Sequence, residues 1–430
     1  MKTKLLPAVS ASRTAAIMAF FILVIAGKPI CAQDWAKTNI EQLQRVDLRD
    51  LGYADVNQIP SNSSAITSLL TAASGKVYGA TSGEKSYLFM FDPAINKVRH
   101  LGIISPGGVH HALAEGKDGC IYIGTGMNML EPVPLTSGNP DETVDKTLWT
   151  DIRNHFNDYA GGHIYRYKTT ADQKVKLPQM QCDLEDLGIP LGHNSVYALT
   201  INPGGNELYG ITYPDGHFFI YNIPQRTFTD KGPVDNKIVF HGPDRDRRSL
   251  PGSLICDNSG KVYMTGTGGT IRYYDPATKE LITTGRKIPG DYNYLQFYED
   301  YAVVEYFAKS PSGLIYGGTS DGYLFSLSTD SMKLINLGKM RAARGLRCLT
   351  VGSDGLVYIM AGERSASTPC QLYIYNPNDH GFEDMGLLIA DRSPYYYWRG
   401  QQFDAMTTGK DGTIYIGESE RMSHLFLYIH

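Results

Sequence analysis

The stretch GGVHHALAEGKDGCIYIGT, residues 107–125, holds two short apolar strands around a Gly-Lys-Asp-Gly turn. Apolar alternation broken by a Gly-bearing turn reads as a β-hairpin. The pattern recurs along the chain: SLLTAASGKVYGAT from Ser68, ALTINPGGNELYGIT from Ala198 and SLICDNSGKVYMTGT from Ser253. YFAKSPSGLIYGGT from Tyr306, CLTVGSDGLVYIMA from Cys348 and AMTTGKDGTIYIGE from Ala405 complete the series. Each second strand carries a tyrosine: Tyr78, Tyr122, Tyr209, Tyr263, Tyr316, Tyr358 or Tyr415. A third strand follows, as in YLFMFDP, HFFIYNI and HLFLYIH, and most copies add a fourth ending near Leu-Gly, as in VRHLG.

Units of about four strands at roughly 40–55 residues are the signature of a β-propeller. Seven copies predict an all-β fold, a seven-bladed β-propeller. The seventh copy stops at His430 after its third strand, whereas VDLRDLG, residues 46–52, is an isolated copy of the fourth. Pairing the two would close the ring and leave no exposed edge.

The 430 residues are 42% hydrophobic and 20% charged, with 45 Gly and 29 Tyr, a turn-dense and strand-rich composition. A formal charge of −4 supplies no basic field for nucleic acid or anionic lipid. Lys2, Lys4 and Arg13 precede the apolar run AAIMAFFILVIAG and a small residue at Ala32. We read residues 1–32 as a secretory signal, with a secreted or periplasmic mature chain, residues 33–430, forming the propeller. The run is shorter than the ~20 residues a membrane span needs, and no other segment of the sequence would span. Cys120, Cys182, Cys256, Cys348 and Cys370 lack disulfide-framework or zinc-cluster spacing. A monomer is expected.

With strands lettered A to D from the centre outward, strand A begins on the face that also carries the D–A and B–C connections. Aligning the copies on the repeated tyrosine puts Thr67, His111, Tyr197, Gly252, Glu305, Arg347 and Asp404 at one level there. An apolar level of Leu69, Leu113, Leu199, Leu254, Phe307, Leu349 and Met406 lies two residues further along. A ring of unlike ionisable groups at a concave mouth is the candidate site. His110, in an otherwise apolar ring, reads first as packed, and Arg347 as a cross-ring partner of Glu305 or Asp404. The B–C connections bring His163, His217 and His424, with Tyr213 ahead of His217 and Arg364, Glu418 and Arg421 nearby. Arg248, in RDRR before strand A of blade four, is a further cation at this mouth. Blade two carries an insertion, residues 127–161. Its segment 139–160 spaces Val144, Leu148, Ile152, Phe156 and Tyr159 as a helix does, and is read as a lid or a brace.

Histidine, tyrosine and arginine suit β-elimination from a uronate-containing polysaccharide. The cation stabilises enolate-like charge, while an imidazole or phenol moves the proton. VHHAL, GGHIYRY and TYPDGH (residues 212–217) resemble elements of the secreted seven-bladed ulvan lyases. The resemblance implies catalysis by His111, His163 and Tyr213, with Arg248 or Arg347 at the uronate of an acidic polysaccharide or oligosaccharide. His110, Tyr197, His217, Glu305 and Arg364 join them as substrate-binding candidates. No cofactor is expected to be required. A divalent metal stays open, since these lyases can carry a structural zinc, with no ligands assigned here. A glycan- or protein-binding propeller without chemistry, and a metal-dependent oligouronate lyase, are the alternatives.

Overall fold

A computed structural model describes residues 43–47, 59–128, 152–171, 181–235, 250–291, 302–340, 345–362, 370–388, 402–420 and 423–429. Its strands form seven four-stranded antiparallel sheets, the blades of a β-propeller. Six blades use four consecutive strands in chain order. Blade two, for example, runs Leu113–Glu115, Cys120–Gly124, Ile164–Lys168 and Leu184–Gly188 from A to D. Blade three runs Ser195–Ile201, Glu207–Tyr213, His217–Asn222 and Thr227–Pro233.

Blade seven takes its D strand from the N-terminal side of the chain. Leu43–Asp47 pairs antiparallel with His424–Tyr428, which sets Asp47 opposite His424. The expected closing segment, 46–52, therefore needs correction. The strand begins three residues earlier and overlaps the expectation only at Val46 and Asp47, because this register uses the residues before the Leu-Gly copy. Residues 48–52 lie outside the described residues.

The repeated tyrosines explain why the copies look alike. All seven are buried on their B strands. A buried phenol needs a partner for its hydroxyl, and in most blades the A–B turn provides one. Tyr122 donates to Asp118 at 3.0 Å, Tyr358 to Asp354 at 2.8 Å and Tyr415 to Asp411 at 3.3 Å. In blades two, six and seven the Asp-Gly turn thus closes the hairpin and satisfies the tyrosine hydroxyl packed on it. Burial and the carboxylate together push all three phenols well above their ordinary value, so they stay neutral.

Of the predicted helix 139–160, residues 152–157 are helical and those before 152 lie outside the described residues. Ile152 and Phe156, four apart on one face, are buried against Tyr213 and Leu250 in the core of blades three and four. Cys120, Cys182, Cys256, Cys348 and Cys370 are buried and free. No helix among the described residues is long and apolar enough to cross a membrane.

Candidate functional site

Five of the seven A strands carry a β-bulge at the same place. The pairing skips one residue between Ile66 and Ser68, Val196 and Ala198, Val304 and Tyr306, Leu346 and Cys348, and Phe403 and Ala405. The skipped residues are Thr67, Tyr197, Glu305, Arg347 and Asp404. A bulge takes a residue out of the ladder and re-aims its side chain. The polar level read from the alignment is therefore largely a ring of bulge residues. In blades two and four the equivalents, His111 and Gly252, precede shortened strands that begin at Leu113 and Ile255.

His111 crosses the axis. Its backbone sits at φ 47°, in the left-handed region that a non-glycine residue seldom adopts. Its Nδ1 lies 2.7 Å from the Gly252 carbonyl of blade four, and its Nε2 lies 2.8 Å from the Asp404 carbonyl of blade seven. Gly252 is needed for this approach, since a Cβ there would meet the Glu305 backbone at 2.8 Å. Tyr306 stands edge-on to the His111 ring at 4.9 Å and donates its hydroxyl to the Met406 carbonyl. Burial pushes His111 below its ordinary value of 6.5, against the upward pull of both carbonyls and the charges of Asp404 and Glu305. The neutral ring donates to one of the two carbonyls, and its other nitrogen faces a carbonyl oxygen without a proton to give it.

Two further charges at this level compensate each other. Arg347 is paired with Asp404, both fully buried, and Ser419 donates to the second Asp404 oxygen. Glu418 accepts from both the backbone N–H and Nδ1 of His424, the latter at 2.7 Å, within a buried pair of blade seven.

From the hub, aromatic rings lead outward. His110 packs 4.2 Å from His111 and stacks on Tyr197 at 5.1 Å. Tyr197 meets Tyr213 at 5.5 Å, and Tyr213 meets Phe156 of the insertion at 5.5 Å. Tyr159 packs on Phe156, and burial with the nearby Tyr165 pushes its phenol up to about 12. Tyr165 in turn stacks on His163 at 5.4 Å. His111 and Tyr213 thus belong to one chain of packed rings that runs out to Tyr159, and His163 is stacked on Tyr165.

His163 and His217 are the half-exposed members. Nδ1 of His163 donates to Asp186 at 2.9 Å, and Nδ1 of His217 donates to Asp230 at 2.9 Å. The two pairs are copies of one device. His163 directly precedes strand C of blade two and His217 opens strand C of blade three, and each aspartate stands on strand D two residues before a glycine whose N–H it also accepts. The side chains of His163 and His217 keep 33% and 25% of their surface exposed. A carboxylate on Nδ1 fixes the proton there and leaves Nε2 as the basic nitrogen.

The sequence reading did not single out one further cation. Arg153, on the insertion helix and half-exposed, pairs with Asp215 at 2.7 Å. Asp215 sits in the turn between Tyr213 and His217, locked by Asn194 through its side chain at 3.0 Å and its N–H at 2.8 Å. Helical spacing sets Arg153 beside the buried Ile152 and Phe156 rather than on their stripe, and nothing in the sequence tied it to Asp215. Arg248, Arg364 and Arg421 lie outside the described residues. Among the described residues, no group of three or more His, Cys, Asp or Glu side chains is placed to hold a metal ion, so the zinc that the resemblance allows finds no fitting donor set there.

No family model matches the chain, and no curated protein matches it in sequence. Solved structures do match in fold. Virginiamycin B lyase from Staphylococcus aureus aligns with a TM-score of 0.57 at 11% identity, over 90% of this chain and 99% of that one. A fungal alcohol oxidase of the AA5 family, in complex with copper, aligns with a TM-score of 0.56 at 13% identity, over 90% and 75% of the two chains. The WD40 repeats of RRP9 align with a TM-score of 0.51 at 11% identity, over 91% of this chain and 99% of that one. An enzyme named as a lyase, one named as an oxidase and a WD40 repeat domain share the propeller with this chain, and the shared fold is what these likenesses establish.

Proposed function

We propose that the chain is an exported lyase that cleaves a uronate-containing, ulvan-like polysaccharide by β-elimination at the blade-two and blade-three side of the mouth. The observation that carries this reading is the His163–Asp186 pair: a half-exposed imidazole whose proton is held on Nδ1 and whose Nε2 is left basic. In the reaction, Nε2 takes the proton from the carbon next to the uronate carboxylate. The released electron pair forms the ring double bond as the glycosidic C–O bond breaks, and the imidazolium returns the proton to the departing oxygen. Arg153, fixed by Asp215, is the described cation suited to neutralise the uronate and stabilise the developing enolate-like charge. Tyr213 and Tyr197 serve as the aromatic wall beside it.

Lyase chemistry is named for the S. aureus neighbour, and a histidine-to-alanine form of that protein is described as catalytically inactive. At this identity the likeness bears on fold alone, so the reading rests on the His163 pair. Its test is incubation of the mature chain with a panel of uronate polysaccharides while following ultraviolet absorbance from the new double bond. Absorbance that grows on one glycan supports the lyase. Silence on every acidic glycan rejects it.

A second reading, a glycan-binding propeller without chemistry, is favoured by the hub, where His111 has a carbonyl against each nitrogen and Arg347 is neutralised by Asp404. Tight retention of an acidic glycan without any absorbance change would select it.

A further inference from the structure

On the far side of His111 and Tyr306 from the mouth, the axial channel continues as a cavity of about 310 Å³ toward the A–B turns. We propose that this cavity is a separate binding site for a monosaccharide-sized hydroxy acid, its carboxylate held by Lys309.

Three features of the lining carry the proposal. Leu69, Leu199 and Leu349 present an apolar ring suited to the C–H face of a sugar, while Thr200, Thr350 and Thr407 put hydroxyls into the same wall. Each hydroxyl has one donor and two acceptor positions. Thr350 uses part of that capacity on Thr408 at 2.9 Å, and Thr407 on Thr71 at 3.2 Å, which pre-orients both side chains. The charge is one-sided: Lys309 lines the cavity, and no aspartate or glutamate is among the lining residues. Its ammonium is fixed at the wall by the Cys256 carbonyl at 2.9 Å and Asn258 Oδ1 at 3.1 Å. An ammonium carries three donors, so a third remains beyond those two bonds for an anion.

Volume sets the size of the guest. Ligand pockets run from about 300 to 1,000 Å³, which puts this one at the scale of a single sugar ring. The His111 ring, spanning from blade two to the carbonyls of blades four and seven, closes the inner end, so the guest enters from the A–B turn face. The proposal is independent of chemistry at the mouth.

The test is isothermal titration calorimetry of the mature chain with D-glucuronate, with glucose and acetate as the neutral and hydroxyl-free controls. Glucuronate is expected to bind, and each control to bind at least about tenfold more weakly. Lys309→Met should lower glucuronate affinity by about tenfold or more, and Thr407→Leu should weaken it as well. Either variant serves if the other fails to fold, as circular dichroism will show. Lys97→Met, at an exposed position on the outermost strand of blade one, should leave glucuronate affinity unchanged, which ties any loss to the cavity. Absence of glucuronate binding at millimolar concentration, or affinity that survives both cavity variants, overturns the proposal whether or not the chain is a lyase.

Discussion

His111 and His163 both stand in blade two, and their surroundings give them opposite capacities. His111 is pressed into the axis, with backbone carbonyls 2.7 and 2.8 Å from its two nitrogens and an aromatic ring on its edge. It joins three blades and has no nitrogen to spare. His163 stands just before the third strand of its blade, one nitrogen held by a carboxylate and a third of its side chain in solvent. A buried imidazole between carbonyls stabilises a hub, and a half-exposed imidazole with a fixed tautomer can move a proton. Blade three repeats the second arrangement at His217 and Asp230, whereas blade seven buries its version at His424 and Glu418. Position on the rim decides what the residue can do.

The contrast is most sharply broken at the aspartate. Asp186→Asn removes the acceptor that keeps the proton on Nδ1, so the ring can present the wrong nitrogen. Turnover on the polymer is expected to fall on the order of 10²–10⁴-fold with the melting temperature nearly unchanged, as initial rates by ultraviolet absorbance will show. At the hub the prediction is reversed. Arg347→Met strands the buried Asp404 carboxylate and should cost about 3–5 kcal/mol in urea unfolding. The double variant Arg347→Met with Asp404→Leu, which removes both charges, should recover most of that loss. A single-variant loss within error would show that the pair is solvated and the hub open.

The smallest effect is a pH dependence. His111 titrates below its ordinary value of 6.5 in the folded chain because burial opposes its charge. The unfolded chain therefore binds this proton first as pH falls. The contribution of the neutral ring is complete above about pH 6.5 and is lost as pH drops toward the folded value. Relative to His111→Phe, the native chain should lose stability on acidification from pH 7 to pH 5, with no such difference developing above pH 7. A difference growing in the alkaline direction would contradict the buried neutral ring.

Much of the fold was legible because the repeat is built from local grammar. The Asp-Gly turns, the tyrosine that each one satisfies and the alternation of the flanking strands are all short-range, and seven copies average out local noise. The closing strand was placed three residues late, since a single isolated copy has no neighbouring repeat to fix its register. The polar level was also legible, because alignment needs only spacing. Its cause was not, for the bulges that project Tyr197, Glu305, Arg347 and Asp404 lie in the pairing between strands and leave no mark in one strand's composition. The aspartates opposite His163 and His217 were visible as the residue two before the glycine of each D strand. The same Asp-x-Gly serves blade six, where Asp384 accepts from Gly386 and Gln371 rather than histidine opens strand C. Only the partner across the sheet turns a bulge-stabilising aspartate into half of an acid–base pair. Arg153 escaped for a similar reason, since its role depends on a turn some sixty residues away.

On the proposed reading the chemistry sits at the rim and the His111 hub is structural. Turnover by His163→Gln and His111→Gln, compared on one uronate polysaccharide with both variants shown to be folded, tests this most directly. We expect His163→Gln to abolish formation of the unsaturated product while His111→Gln retains turnover within about tenfold, its cost appearing as lowered stability. The opposite outcome, full activity without His163 and none without His111, would move the reacting sugar to the axis and contradict the account.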